Sequence, residues 1–376
     1  MRACLLAATL ISSAVAADLK PIFPANAPKP VGPYTPGIAA DGYVYVSGQG
    51  AFDSSGKLPV GIEQQTRQCL ENVKAILTAA GVSTEHVVWS QVFLKNIKDH
   101  GAMNKVYASY FPKNPPARSV VSVTAMPGGT PVEIAVVAVR DLKQKKAIAS
   151  ASPRDPASNA VQAGDRVYVS GVLGIDARSV VPTQPRQQMQ ALVTQMRSVL
   201  SKAGLELRNL AYAHVYVDGA MPMKVLGDLL TEVLPSETAL SVVQTTALPH
   251  GAHVEISGIA SKVANRQGDC TSIGDTLYCA GVGGTIDQAL KRVKDNMTIS
   301  QMTTSRIVTT NVFIDDIAHF EAMNKIYAGS FGSWLPTRVT VQPTPKAEEL
   351  NLASGTDTPA ANPKSPRAQV TVIAVK

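Results

Sequence analysis

The sequence predicts an α+β protein built from three tandem copies of one unit, and three observations carry that reading. Short strings recur: VYVSG at Val44–Gly48 and again at Val167–Gly171, and VF-x-x-x-I-x-x-x-x-AMNK-x-Y at Val92–Tyr107 and again at Val312–Tyr327. The spacing is regular, since Val44 to Val167, Gly81 to Gly204 and Val92 to Val215 are each 123 residues apart. The third copy is shifted: Leu277 answers Val44 at an offset of 233, Val312 answers Val92 at 220, and Val375 answers Val139 at 236. A fixed period of this kind marks repeated structural units. A chain of 376 residues holds three of about 115 to 125, each long enough for its own core.

Within the first unit the elements follow in order. Tyr43–Ser47 and Val87–Leu94 are rich in β-branched and aromatic residues, as are Ser119–Ala125 and Val132–Val139, so four strands are expected. Asp41-Gly42 before the first of them is a hairpin turn, repeated as Gly164-Asp165 and Gly274-Asp275. Between the first two strands Cys69, Leu70, Val73, Ile76 and Leu77 recur at helical spacing, and Gly81 supplies the stop. Met103, Val106, Tyr107 and Tyr110 mark a second helix, ended by Pro112. The unit reads hairpin, helix, strand, helix, two strands. The stretches Pro21–Pro36 and Ala147–Pro156 read as lead-in or linker segments.

Composition sets outer bounds. The chain is 45% hydrophobic and 17% charged, as ordinary globular proteins are. Arg2, an apolar run from Cys4 to Val15 and the A-x-A pattern at Ala14–Ala16 predict a cleaved signal peptide over residues 1–16, and hence export to the periplasm or medium. That run is too short to span a bilayer. The expected division is 17–145, 146–262 and 263–376, with an inserted loop at about 346–366 in the last unit. Cys270 and Cys279 flank the Gly274-Asp275 turn, which sets them opposite one another as a cross-strand disulfide or, alternatively, as two buried thiols. Cys69 is expected in the core. The net charge of +7 is modest, and the densest basic run, Arg140–Lys146, reads as a solvated linker and not as a nucleic-acid surface.

Seven blocks in the first unit carry a resemblance: GPYTPG from Gly32, VYVSGQ from Val44, IEQQT from Ile62, NVKAILTAAG from Asn72, AMNKVY from Ala102, PPARSVV from Pro115 and PVEIAVVAV from Pro131. This unit resembles the reactive intermediate deaminases of the YjgF/Rid family, with weaker likeness in the second unit and, in the third, good likeness only over Val312–Thr340. The resemblance implies a chorismate-mutase-like α+β fold, normally assembled as a homotrimer with clefts between subunits. Three copies in one chain then form an intramolecular pseudo-trimer, a monomer doing the work of three subunits. The implied chemistry is hydrolysis of reactive 2-imino or enamine acids to 2-keto acids and ammonia. It implies small 2-imino or 2-keto carboxylates as ligands, and neither cofactor nor metal.

The same resemblance assigns the site. Arg118 matches the carboxylate-binding arginine, a role suited to its planar fork of donors; otherwise it is a strand-start residue in an ion pair. Glu133, in an apolar strand, either orients and deprotonates water or serves as a structural partner. Tyr34 donates a proton or closes the pocket, Asn104 bonds ligand or caps its helix, and Ser47 and Gly48 line the cleft with backbone. Val120 stands where many members carry cysteine. The second unit has Ala157, Gly227 and Leu240 at the tyrosine, asparagine and arginine positions and keeps only Glu255. The third keeps Arg338 and Asn324 but has Gln267 and Gln369 for tyrosine and glutamate. At most one or two of three clefts should work, and the sequence leaves open whether Tyr34 faces Arg118 or Arg338. Three functions follow: an exported imine deaminase, a non-catalytic binder of small carboxylates, or a ribonuclease or RNA-binding protein.

Overall fold

A computed structural model describes residues 17–148, 155–345 and 366–376. The first unit contributes β1 (Lys20–Ile22), β2 (Gly37–Ala40), β3 (Tyr43–Gly50), α1 (Ile62–Ala79), β4 (Val87–Leu94), α2 (His100–Tyr110), β5 (Ala117–Ser122) and β6 (Val132–Val139). The second follows with β7 (Lys145–Ile148), β8 (Ala160–Ala163), β9 (Arg166–Leu173), α3 (Pro185–Lys202), β10 (Leu210–Val217), α4 (Met223–Val233), β11 (Ala239–Gln244) and β12 (Val254–Ala260). The third has β13 (Ala264–Gln267), β14 (Cys270–Ile273), β15 (Thr276–Thr285), α5 (Ile286–Ile299), β16 (Ile307–Ile314), α6 (Phe320–Phe331), β17 (Thr337–Val341) and β18 (Arg367–Val375).

Each unit forms one six-stranded sheet with the same strand order, β1-β2-β3-β6-β4-β5 and its two counterparts. All pairings are antiparallel except the outermost, β4 with β5, β10 with β11 and β16 with β17. The shared order explains why one sequence pattern recurs three times. In the β2–β3 turn both Asp41 (φ 48°) and Gly42 (φ 74°) are left-handed, a conformation that aspartate and glycine tolerate best. Helix α1 buries Cys69, Leu70, Val73, Ile76 and Leu77 on the sheet and stops at Gly81, whose φ of 77° lets Val82 N–H reach back to Leu77 O.

Five apolar clusters show how the units assemble. Three lie between the helices and sheet of a single unit. The other two draw on all three units: Tyr45, Trp89, Tyr168, Tyr212 and Tyr278 in one, Phe93, Val121, Tyr216, Val243, Phe313 and Val341 in the other. The sheets therefore turn their second faces to a common axis with helices outside, the arrangement of a covalently joined trimer. Three buried polar side chains at matching repeat positions, Gln91, His214 and Asn311, line an axial cavity of about 20 Å³, the size of a single water. At one end Arg166 ties the units together, 2.9 Å from Asp41 and 2.7 Å from Thr276 Oγ1.

Local departures from the sequence reading have simple causes. Lys145–Ile148 is not linker: it pairs antiparallel with Ala160–Ala163 and covers an edge that would otherwise expose unpaired amides. The strand expected from Ser119 begins two residues earlier, so Arg118 lies inside it. Cys270 and Cys279 face each other in register and are joined as a disulfide, and Cys69 is a buried free thiol. The segment expected to be a signal peptide and nearly all of the expected inserted loop lie outside the described residues. Among the described residues no helix is long and apolar enough to cross a membrane.

Candidate active site

The clefts arise from a bulge and a glycine. In the first unit the register of β3 against β6 slips between Val46 and Gln49, so Ser47 and Gly48 bow out of the ladder. A Cβ on Gly48 would fall 2.0 Å from Glu133 Oε1, so only glycine lets this carboxyl lie against the bulge. Gly171 has the same relation to Glu255, and Gly281 to Gln369. Ser47 turns its hydroxyl away: it donates to Pro36 O at 3.1 Å and accepts from Gln49, fixing the lead-in loop. Thr35 of that loop bonds Leu335 O and Pro336 O in the third unit, which places the loop against the neighbour's arginine strand.

The arginines sit in matching nests. Arg118 packs its guanidinium 4.5 Å from the Tyr107 ring with Met103 sulfur at 3.9 Å. Arg338 has Tyr327 at 4.8 Å and Met323 sulfur at 4.0 Å. Both are almost wholly buried. The arginine strand of each unit packs against the bulge strand of the next, β17 on β3, β5 on β9 and β11 on β15. Relations therefore run round the ring: Arg338 shares a cavity with Glu133, Arg118 shares one with Glu255, and Ser241, next to Leu240, lies with Gln369 at the Gly281 bulge.

In the first cleft Tyr34, Gly48, Gln49, Phe52, Glu133, Phe320 and Arg338 line a cavity of about 70 Å³. Arg338 lies 5.3 Å from the Tyr34 ring, and among the described residues no carboxylate is ion-paired with it. Burial pushes the Glu133 carboxyl up to about 8, against the opposing pull of Arg338 and a hydrogen bond from Thr340 N–H. It is therefore largely a neutral acid at pH 7. Burial likewise raises the Tyr34 phenol, so it stays protonated. Asn324 Oδ1 is buried with no donor among the described residues and lies beside Gly32, where a Cβ would be 3.1 Å away. The cleft thus offers a guanidinium for an anion and a neutral carboxyl able to give and take a proton.

The second cleft has the arginine but another filling. Arg118, Glu255, Ser170, Gly171, His100, Ala157 and Asp155 line a cavity of about 130 Å³. Burial also raises Glu255 to about 8, and Ser119 Oγ donates a very short hydrogen bond to it. Asp155 stands 3.7 Å from Arg118 Nη2 and accepts from Asn104 Nδ2 at 3.1 Å. In the third cleft Leu240 cannot hold an anion, and Gln369 Oε1 and Ser241 Oγ are buried with no partner among the described residues.

The geometry corrects one grouping from the sequence. Arg118 and Glu133, proposed together as catalytic, lie in different clefts, because the arginine strand packs against the following unit and not against its own bulge. Tyr34, Glu133 and Gly48 instead share a cavity with Arg338, and Arg118 shares one with Glu255, while Asn324 lies beside Gly32 and Asn104 beside Asp155. Sequence reasoning missed the arginine nests, although the signal was present: AMNK-x-Y is intact in the two units that keep the arginine, while the second has Leu226, Gly227 and Leu230 in place of Met, Asn and Tyr. It also missed Asp155 as a cleft residue.

Fold and clefts define the class: a ring of three α+β units with carboxylate-sized pockets between neighbours, one of them equipped with arginine, tyrosine and a neutral glutamate. The family model described as Endoribonuclease L-PSP matches the chain three times, over residues 24–140, 147–262 and 270–349. The chain belongs to that family, with three tandem Rid-like copies. A RutC family protein of Pyrococcus horikoshii is 44% identical over 122 residues, covering 32% of this chain and 97% of its own. The 2-iminobutanoate/2-iminopropanoate deaminase of mouse is 40% identical over 123 residues, 32% of this chain and 91% of its own. Among solved structures, the YjgF gene product of E. coli covers 32% of this chain and 99% of its own at 36% identity, with a TM-score of 0.32.

Proposed function

We propose that the chain is an exported 2-imino/enamine acid deaminase, a monomer whose working site is the Arg338–Tyr34–Glu133 cleft. One observation carries this reading: a buried arginine with no ion-paired carboxylate among the described residues shares a small cavity with a glutamic acid held near pKa 8. Arg338 takes the substrate carboxylate. Protonated Glu133 gives its proton to the imine nitrogen, and the resulting carboxylate accepts a proton from water as its oxygen adds to C2. Glu133, protonated again, then gives its proton to the carbinolamine nitrogen and takes the hydroxyl proton as the C–N bond breaks, which forms the 2-keto acid and releases ammonia. Tyr34, neutral at pH 7, donates a hydrogen bond within the same cleft. The deaminase named above, similar over 123 residues of this chain, supports the chemistry, and the A-x-A pattern and the Cys270–Cys279 disulfide support export.

The test is release of ammonia and keto acid from freshly generated 2-iminobutyrate or 2-iminopropionate, with Arg338→Ala as control. Turnover that vanishes with Arg338 is expected. Folded protein that binds pyruvate but accelerates nothing would leave a non-catalytic binder of small carboxylates. A ribonuclease role has less support, because the cleft arginines are buried and out of reach of a phosphate backbone.

A further inference from the structure

The second cleft is occupied by the chain's own carboxylate. At the 123-residue spacing Asp155 takes the position of Gly32, and the prolines that follow, Pro156 and Pro33, also correspond. Gly32 carries no side chain, and a Cβ there would come within 2.6 Å of Arg338 Nη2 and 3.1 Å of both amide atoms of Asn324. At Asp155 the side chain exists and takes that direction. Its Oδ1 accepts from Asn104 Nδ2 at 3.1 Å and pairs with Arg118 Nη2 at 3.7 Å, while Oδ2 lies 3.3 Å from His250 Nε2. Glycine puts no side chain before the arginine–asparagine pair in one cleft, and in the other aspartate lies against the matching pair, taking an Asn104 N–H and the Arg118 charge, while the amide oxygens of Asn104 and Asn324 are both without a donor among the described residues.

We propose that the Arg118 cleft is a second carboxylate site kept shut by Asp155, which sits where the carboxylate of a small 2-oxo or 2-imino acid would sit. The rest of a site is present behind it: Glu255, the Gly171 bulge and Leu173 line the remaining space. Acid does not release the plug in the ordinary range. The His250 hydrogen bond, with Arg118 and His100 adding to it, holds the Asp155 carboxyl down at about 2.

A cation is the competing occupant. His100, Asp155 and His250 bring one donor atom each within 4.8 Å of the others. The neighbours speak against it: Asn104 already aims an N–H at the carboxylate, and the buried Arg118 charge beside it would repel a metal ion. The positive groups surround the position of an anion.

The inference rests on reading the first cleft as a carboxylate site, and the experiment separates the two. Pyruvate binding is titrated calorimetrically to full-length wild type, Asp155→Ala, Asp155→Asn, and each of these combined with Arg338→Ala, with melting curves to confirm folding. Wild type is expected to bind one pyruvate, lost in Arg338→Ala. Asp155→Ala should bind two, and Asp155→Ala/Arg338→Ala one, which disappears when Arg118→Ala is added. The mirror substitution Gly32→Asp should abolish the wild-type site. One pyruvate in wild type and still one in both Asp155 variants would overturn the plug, as would two in wild type. No binding in wild type with one in Asp155→Ala/Arg338→Ala would keep the plug and sink the first-cleft reading. Silence in every folded variant would overturn both.

Discussion

The first and second clefts share their parts and differ in what stands before the arginine. Each has a buried arginine over a tyrosine ring, an asparagine one helical turn before that tyrosine, and a glutamic acid against a bulge glycine. Yet one has Gly32 and Tyr34 where the other has Asp155 and Ala157. The contrast shows that a retained arginine need not keep the same surroundings. What differs is the lead-in loop of the neighbouring unit, which puts Gly32, without a side chain, before the guanidinium in one cleft and the Asp155 carboxylate before it in the other.

The largest effect expected from this contrast concerns the arginines themselves. Removing one partner of a buried, charge-assisted contact costs about 3–5 kcal/mol, roughly a hundred- to a thousand-fold or more in rate. Arg338→Ala should lose that much in kcat/KM for imine hydrolysis. Arg118→Ala should change it less than threefold. Equal losses in the two variants would show that the clefts are not functionally separate.

The glutamates should divide the same way. Glu133→Gln keeps the shape but cannot carry a proton, and loss of a positioned acid–base group costs roughly 10²–10⁴-fold in kcat; Glu255→Gln should leave turnover near wild type. The pH profile gives the sign. Glu133 must start protonated to serve the imine, so kcat/KM should hold below its value of about 8 and fall above it. A profile flat to pH 10 would remove Glu133 from the role.

Much of this was legible in the sequence, and the missing part has a definite physical character. The three units, their helices and the hairpin turns follow from periodicity and from glycine and aspartate at fixed places, all local information. Glu133 stood out because a carboxyl in PVEIAVVAV must be neutral or paired. What could not be read was which unit faces which, since that depends on the direction in which the ring closes, a property of packing between sheets. Asp155 was hidden for the same reason: it sits in a stretch that reads as a linker, and only the fold brings it to Arg118.

A smaller effect should appear in stability. Glu133 and Glu255 are both neutral in the fold up to about pH 8, while in the unfolded chain they ionise near 4.5. Between those values the folded state holds more protons, so stability falls as pH rises through that window, by at most roughly 1.4 kcal/mol per pH unit for each group. Unfolding in denaturant at pH 5, 6.5 and 8 should show this decline, and Glu133→Gln and Glu255→Gln should each flatten it. Here the two clefts should behave alike, because burial acts on both whatever their activity. A decline removed by one substitution alone would show that the two carboxyls differ in burial after all.

The smallest effect lies on the axis, where the three units meet and no cleft is involved. His214 is wholly buried among Trp89, Tyr212 and Tyr216, and burial pulls its imidazole down to about 3. Its repeat counterparts are Gln91 and Asn311, which never titrate. In the unfolded chain His214 takes up a proton near 6.5, so stability is lost as pH falls from there, a direction opposite to that of the glutamates. His100, lowered to about 4 by burial and by Arg118, adds to the same limb. Replacing His214 by the glutamine its counterpart already carries should raise the melting temperature at pH 5 relative to wild type by a few degrees and leave the difference at pH 8 smaller. A gain equal at both pH values would point to better packing and not to a buried proton acceptor, and would leave His100 as the source of the acid limb.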